Sequence, residues 1–315
     1  MVIKKINMMF LVTVLISFFA AFLPISQMFP DYGARLLFSE ILLAAPGAIW
    51  IFAGKRNYVQ TVRLKKIHGS TVVLLVLFDI AIMPVMGLIN AVSMLFVENT
   101  TTSSMAEVVT GHSFFVSMVL IALLPAIFEE SVYRGLFYNE YRKVVPLGGI
   151  FLSAFLFGIM HANWNQFSYA FVMGMIFCLV IEATDSILSS MILHFCINGT
   201  SVILLSVLDI LSEHFPQQME EALLKSEEVS VQTFGGILRT YLPAALVGVV
   251  VAVVVFRQIA LKEGRFEVVR ALFVRGGKDT PPKSEGTGRG SGLCTIPLIV
   301  AVAILLVMMV LNEVL

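Results

Sequence analysis

Charge is scarce in this chain. Asp, Glu, Lys and Arg make up 13% of its 315 residues, and the 21 basic side chains cancel the 21 acidic ones. With 58% hydrophobic residues beside so little charge, the composition lies far from that of a water-soluble globular domain. A net charge of zero by itself says nothing about nucleic-acid or acidic partners, and no nucleic-acid partner is expected. Cysteine is scarce too. Cys178, Cys196 and Cys294 lie in apolar stretches without CxxC spacing, which excludes a disulfide framework or a cysteine metal knuckle and leaves them as small packed hydrophobes. The chain has no HExxH motif of the common zinc hydrolases. It also has no internal repeat, although an inverted-repeat transporter would show one as weak symmetry between its halves.

What the sequence has is long apolar runs. A bilayer core about 30 Å thick takes roughly 20 residues of apolar helix. About nine runs approach that length, approximately Ile6–Met28, Leu36–Ala53, Ser70–Val97, Ser113–Tyr138, Leu147–His161, Gln166–Ala183, Ser186–Leu208, Ile237–Phe256 and Leu293–Leu311. The expectation is an all-α polytopic membrane protein. The first run follows Lys4 and Lys5, but it is long for a signal peptide and lacks a small-residue cleavage site, so it reads as a retained anchor.

Basic residues concentrate in every second loop: Lys55, Arg56, Arg63, Lys65 and Lys66; then Arg142 and Lys143; then Arg257 through Arg289. The alternate loops are neutral or acidic, with Glu98 and Glu107 in a Thr-rich stretch and Glu213, Glu220, Glu221, Glu227 and Glu228 later on. By the positive-inside rule the N-terminus is inside and the C-terminus outside, the weakly charged turn at Glu182 to Asp185 being the exception. Five regions follow: residues 1–112 with three spans, a polar-bearing core at 113–208, an extracytoplasmic segment and eighth span at 209–256, a basic Gly/Pro-rich cytosolic linker at 257–292, and a final span at 293–315. Apolar positions at Leu211, Phe215, Met219, Ala222 and Leu223 suit either an amphipathic surface helix or a solvated loop. The last span carries no acid, base or amide before Asn312, so it is expected to be peripheral.

Ionisable groups inside spans are costly, and each is a functional candidate. The fourth run contains Glu129, Glu130 and Arg134. On a helix Glu130 and Arg134 stand one turn apart and can pair, whereas Glu129 points about 100° away and is free for another partner. The fifth run ends at His161, and the seventh places His194 and Asn198 one turn apart on one face. A shielded carboxylate can take a proton from water and return it to a leaving amine. Imidazole and amide donors can stabilise a tetrahedral oxyanion, each worth roughly 3 to 4 kcal/mol in well-studied cases. A purely structural Glu–Glu–Arg ion pair is the bland alternative, and the two histidines weigh against it.

The motifs EExxxR, FxxxH and HxxxN stand on successive spans, as Glu129-Glu130 to Arg134, Phe157 to His161 and His194 to Asn198. In that order they resemble the CAAX prenyl protease and bacteriocin-processing (CPBP, Abi) family of intramembrane endopeptidases. The resemblance covers roughly Ser113 to Leu208. It implies an eight-helix core, to which the last span is an addition, and makes Glu129 the water-activating glutamate with help from His161. It further implies that His194 and Asn198 stabilise the oxyanion and that Glu130 and Arg134 support the site. It implies a peptide or membrane-anchored protein as substrate and the lipid bilayer as surroundings.

Zinc or another divalent metal on Glu129, His161 and His194 stays open, although Glu129 cannot easily be both ligand and base. Alternatives are an ion- or proton-coupled transporter, in which the same groups relay protons, and a non-catalytic partner such as a bacteriocin self-immunity protein. Short loops without an attached domain point to a prokaryotic cell membrane. Glu40 and Asp79 match no motif and read as packing or cavity-lining groups. His68 and His112 read as interfacial, and Trp164 and Tyr169 as belt aromatics, with a gating role open to Trp164 beside His161.

Overall fold

The computed structural model describes residues 2–97, 99–218, 234–274 and 292–314. In chain order the main helices are α1 (Val2–Ala20), α2 (Tyr32–Ala53), α3 (Gly69–Ser93), α4 (Thr100–Gly111), α5 (Phe114–Tyr141), α6 (Pro146–Met160), α7 (Trp164–Thr184), α8 (Ile187–His214), α9 (Phe234–Lys262), α10 (Phe266–Phe273) and α11 (Ile296–Val314). No strand occurs among the described residues. Eight of the helices are long and apolar enough to cross a membrane, and α6 is a shorter apolar helix of 15 residues. The chain is an all-α polytopic membrane protein.

Local chemistry sets several boundaries differently from the hydropathy runs. The first run is not one helix: α1 stops at Ala20, and Pro24 precedes a separate turn at Ile25–Met28. The Thr-rich stretch forms α4, started by Asn99, whose side chain accepts from the Thr102 backbone N–H at 3.2 Å. α8 runs on to His214, so Leu211 lies on its continuation. The rest of the amphipathic reading, from Met219 onward, lies outside the described residues, as do residues 275–291 of the Gly/Pro-rich linker; the first part of that linker is helical instead, as the end of α9 and α10.

α5 departs from regular helix at two places, Met118–Leu123 and Ser131–Tyr138, where the backbone is π-helical. The wider i→i+5 winding changes which side chains share a face and leaves carbonyls in need of donors. Small residues allow the close helix contacts. A Cβ on Gly174 of α7 would lie 2.8 Å from Ala154 Cα on α6 and 3.1 Å from Arg134 Nη2. Gly248 of α9 likewise lies directly on the Ala81 carbonyl of α3.

The basic loops meet at one end of the bundle. Arg63 and Lys65, after α2, both pair with Asp185. Arg142, after α5, reaches Glu182 Oε2 at 2.6 Å, and Tyr138 donates to Glu182 Oε1 at 2.9 Å. Arg265, after α9, donates to the Glu182 carbonyl at 2.8 Å. The turn that broke the charge pattern is therefore the counter-charge that gathers three basic loops. Partial burial pushes the Asp185 carboxyl up, but the hydrogen bond from Lys65 and the charges of Arg63 and Arg265 outweigh it and hold the group at about 2, below its ordinary 3.8.

Candidate active site

α5 delivers both glutamates where its regular turn Leu124–Glu130 meets the second π-helical stretch. Glu130 accepts from Arg134 Nη1 at 2.9 Å, and both side chains are fully buried. The same Glu130 oxygen lies 3.1 Å from His194 Nδ1 on α8. The other face of that imidazole turns to the second carboxyl, with Nε2 at 3.6 Å from Glu129 Oε2. His194 thus bridges the adjacent glutamates. A carboxylate paired with Arg134 can only accept, so the Nδ1 hydrogen is spent on Glu130 and Nε2 is the atom left for chemistry. Glu129 differs from its neighbour in access: its side chain is 14% exposed, and that of Glu130 is 0% exposed.

Aromatic rings form the walls. The Arg134 guanidinium lies 4.2 Å from the centre of the Phe157 ring and 4.9 Å from that of Phe177. This gives an otherwise buried cation two π faces. Phe177 stacks on His194 at 5.1 Å, which fixes the plane of the imidazole.

His161 closes α6. Phe157 packs edge-on against both imidazoles, His161 at 5.0 Å and His194 at 6.0 Å. His161 Nδ1 lies 2.8 Å from the Phe157 carbonyl. A carbonyl only accepts, so Nδ1 carries the hydrogen and Nε2 keeps its lone pair. Asn198 stands one turn beyond His194 but gives one amide hydrogen to the Ile121 carbonyl at 3.0 Å. That carbonyl belongs to the first π-helical stretch of α5. Glu129, Glu130, Arg134 and His194 therefore form one contact cluster; His161 joins it across a phenyl ring, and Asn198 ties α8 to α5.

Glu129, His161 and His194 do not converge as a metal triad. No group of three or more His, Cys, Asp or Glu side chains suited to a metal ion occurs among the described residues.

Glu40 on α2 is buried, and its Oε2 has no hydrogen-bond partner. Cβ atoms on Gly33 and Gly47 would each lie 2.7 Å from a side chain of α5, Leu120 and Leu136 respectively. Glu40, midway between them, thus stands near the level of Glu129. Its sequence signal was the bare cost of a carboxyl in an apolar run. Asp79 instead accepts from Thr200 at 3.4 Å, linking α3 to α8. His68 and His112 form interfacial pairs, with Glu263 at 3.1 Å and Asp31 at 3.2 Å. Trp164 lines an apolar groove with Leu88, Ile89 and Phe96.

No curated protein and no solved structure matches the chain. A family model does, that of the Rce1-like type II CAAX prenyl endopeptidases, over residues 111–200. The matched stretch holds both glutamates, Arg134, both histidines and Asn198, and runs from the end of α4 into α8. Within its all-α membrane bundle, residues 111–200 of this chain are similar to the Rce1-like type II CAAX prenyl endopeptidases.

Proposed function

We propose that the chain is a glutamate-dependent intramembrane endopeptidase that hydrolyses a peptide bond of a membrane-associated protein or peptide. One observation carries the reading: of two adjacent carboxyls bridged by His194, Glu130 is paired with Arg134 through Oε1 and is 0% exposed, whereas the Glu129 side chain is 14% exposed. Glu129 removes a proton from water as the oxygen attacks the carbonyl carbon. The developing oxyanion accepts from His194 Nε2, when protonated, and from the second amide hydrogen of Asn198. As the C–N bond breaks, the proton held by Glu129 passes to the leaving amine. The His161 Nε2 lone pair orients the water. Glu130 and Arg134 hold His194 in its rotamer. The chemistry is proposed to need no metal, since no group of three or more His, Cys, Asp or Glu suited to a metal ion occurs among the described residues.

Clustering of the basic loops around Glu182 and Asp185 supports an N-terminus on the cytoplasmic side. The test is cleavage of a lipid-anchored peptide by the purified protein in proteoliposomes, with and without EDTA. Glu129→Gln and His194→Ala should each lower the rate at least about 100-fold, the scale of losing one such group. Wild-type turnover by Glu129→Gln would overturn the mechanism. Loss of turnover in EDTA, restored by zinc, would overturn its metal independence.

A further inference from the structure

The last helix, α11, lies outside the matched stretch, and its sequence reads as an apolar addition. Its contacts are more specific. The buried residues Leu298, Ala301, Leu305 and Met309 form one stripe at spacings of three and four, and α11 packs along α1 and α6. Asn312 continues that stripe by three residues, so its amide faces the protein. There Asn312 Nδ2 donates to the Ala162 carbonyl at 3.0 Å. Ala162 follows His161 directly and has a φ of 50°, a left-handed conformation that a non-glycine residue adopts at a cost. The carbonyls at the end of α6 lack partners within their own helix, and the Asn312 amide satisfies the one that follows the histidine.

The other end of α11 is fastened as well. Asn7 Nδ2 donates to the Leu293 carbonyl at 2.8 Å and to Thr295 Oγ1 at 2.9 Å. Tyr141, the last residue of α5, donates to Asn7 Oδ1 at 2.6 Å. One end of α11 is thus tied, through Asn7, to the helix that carries both glutamates, and the other to the turn that carries His161.

We infer that α11 is a brace for the active site and that Asn312 is a positioning residue, holding the strained Ala162 turn and with it the direction of the His161 imidazole. The inference rests on the hydrolytic reading for its kinetic consequence but not for its structural one. Two readouts separate them: cleavage of a lipid-anchored peptide by the full chain in nanodiscs, and the His161 imidazole NMR signals, assigned by comparison with His161→Gln. Asn312→Ala should lower kcat about tenfold, the scale of one lost orienting contact, leave KM within about twofold, and move the His161 signals. Asn312→Gln, which keeps the donor, should recover part of both. Leu305→Ala, which removes apolar contact on the same stripe, should lower thermal stability without moving the His161 signals. Unchanged His161 signals in Asn312→Ala would overturn the inference, whether or not the rate falls. If the wild type cleaves nothing, the hydrolytic reading fails, and displaced His161 signals would still establish the brace.

Discussion

The division between the two glutamates rests on a few tenths of a nanometre. Glu130 receives Arg134 at 2.9 Å and His194 at 3.1 Å, so its charge is matched inside the bundle. Removing one member of a buried pair strands the other, which typically costs 3–5 kcal/mol, whereas replacing both with apolar or neutral groups is often nearly neutral. Arg134→Met should therefore destabilise the protein by about 3 kcal/mol, read from denaturant unfolding in detergent. Glu130→Gln combined with Arg134→Met should recover most of that stability. Neither variant should recover cleavage: the double variant removes the charged anchor of His194, and the single one leaves that anchor buried without its counter-charge. Equal instability of the single and double variants would show that the pair is not a closed unit.

Among the elements, α5 bears the chemistry and its neighbours are shaped to admit it. Gly174 leaves the space that the Arg134 guanidinium and the Ala154 backbone occupy. Gly174→Val would force α6 and α7 apart, and overpacking of this kind costs about 1–3 kcal/mol. Thermal unfolding should report that loss, and the rate should fall further than stability accounts for, since Phe157 and Phe177 on those helices wall the site. The spans themselves were readable because a bilayer demands a length of apolar helix that composition displays. Glu130 with Arg134, and His194 with Asn198, were readable because one-turn spacing is a local property. The π-helical winding of α5 was not, since an apolar run carries the same letters in either helix. Asn198 was expected only as an oxyanion donor, and its bond to Ile121 depends on that winding. Glu40 and Asn312 gained their meaning from helices distant in sequence, and no spacing within α2 or α11 encodes those contacts.

At the scale of the whole molecule, Glu182 and Asp185 gather loops from three parts of the chain into one face. Asp185 has its carboxyl held at about 2, below the ordinary 3.8, so its contribution is fully present above pH 3.8 and is lost as pH falls through 2. Thermal stability in detergent should accordingly fall across that window, and Asp185→Asn, which suits the left-handed backbone at φ 56°, should flatten the dependence. A wild-type curve unchanged between pH 4 and pH 2 would contradict the pairing with Lys65 and Arg63.

The length of α6 has a consequence for the surrounding lipid. Fifteen residues at 1.5 Å each reach about 22 Å, short of a hydrocarbon core of about 30 Å. The His161 turn therefore lies below the lipid surface unless the bilayer thins beside it, and thinning costs energy that grows with acyl chain length. Turnover should then depend on hydrophobic thickness, falling as the lipids are lengthened at constant headgroup. The membrane would act on this site as a mechanical setting, with no ligand needed to change it.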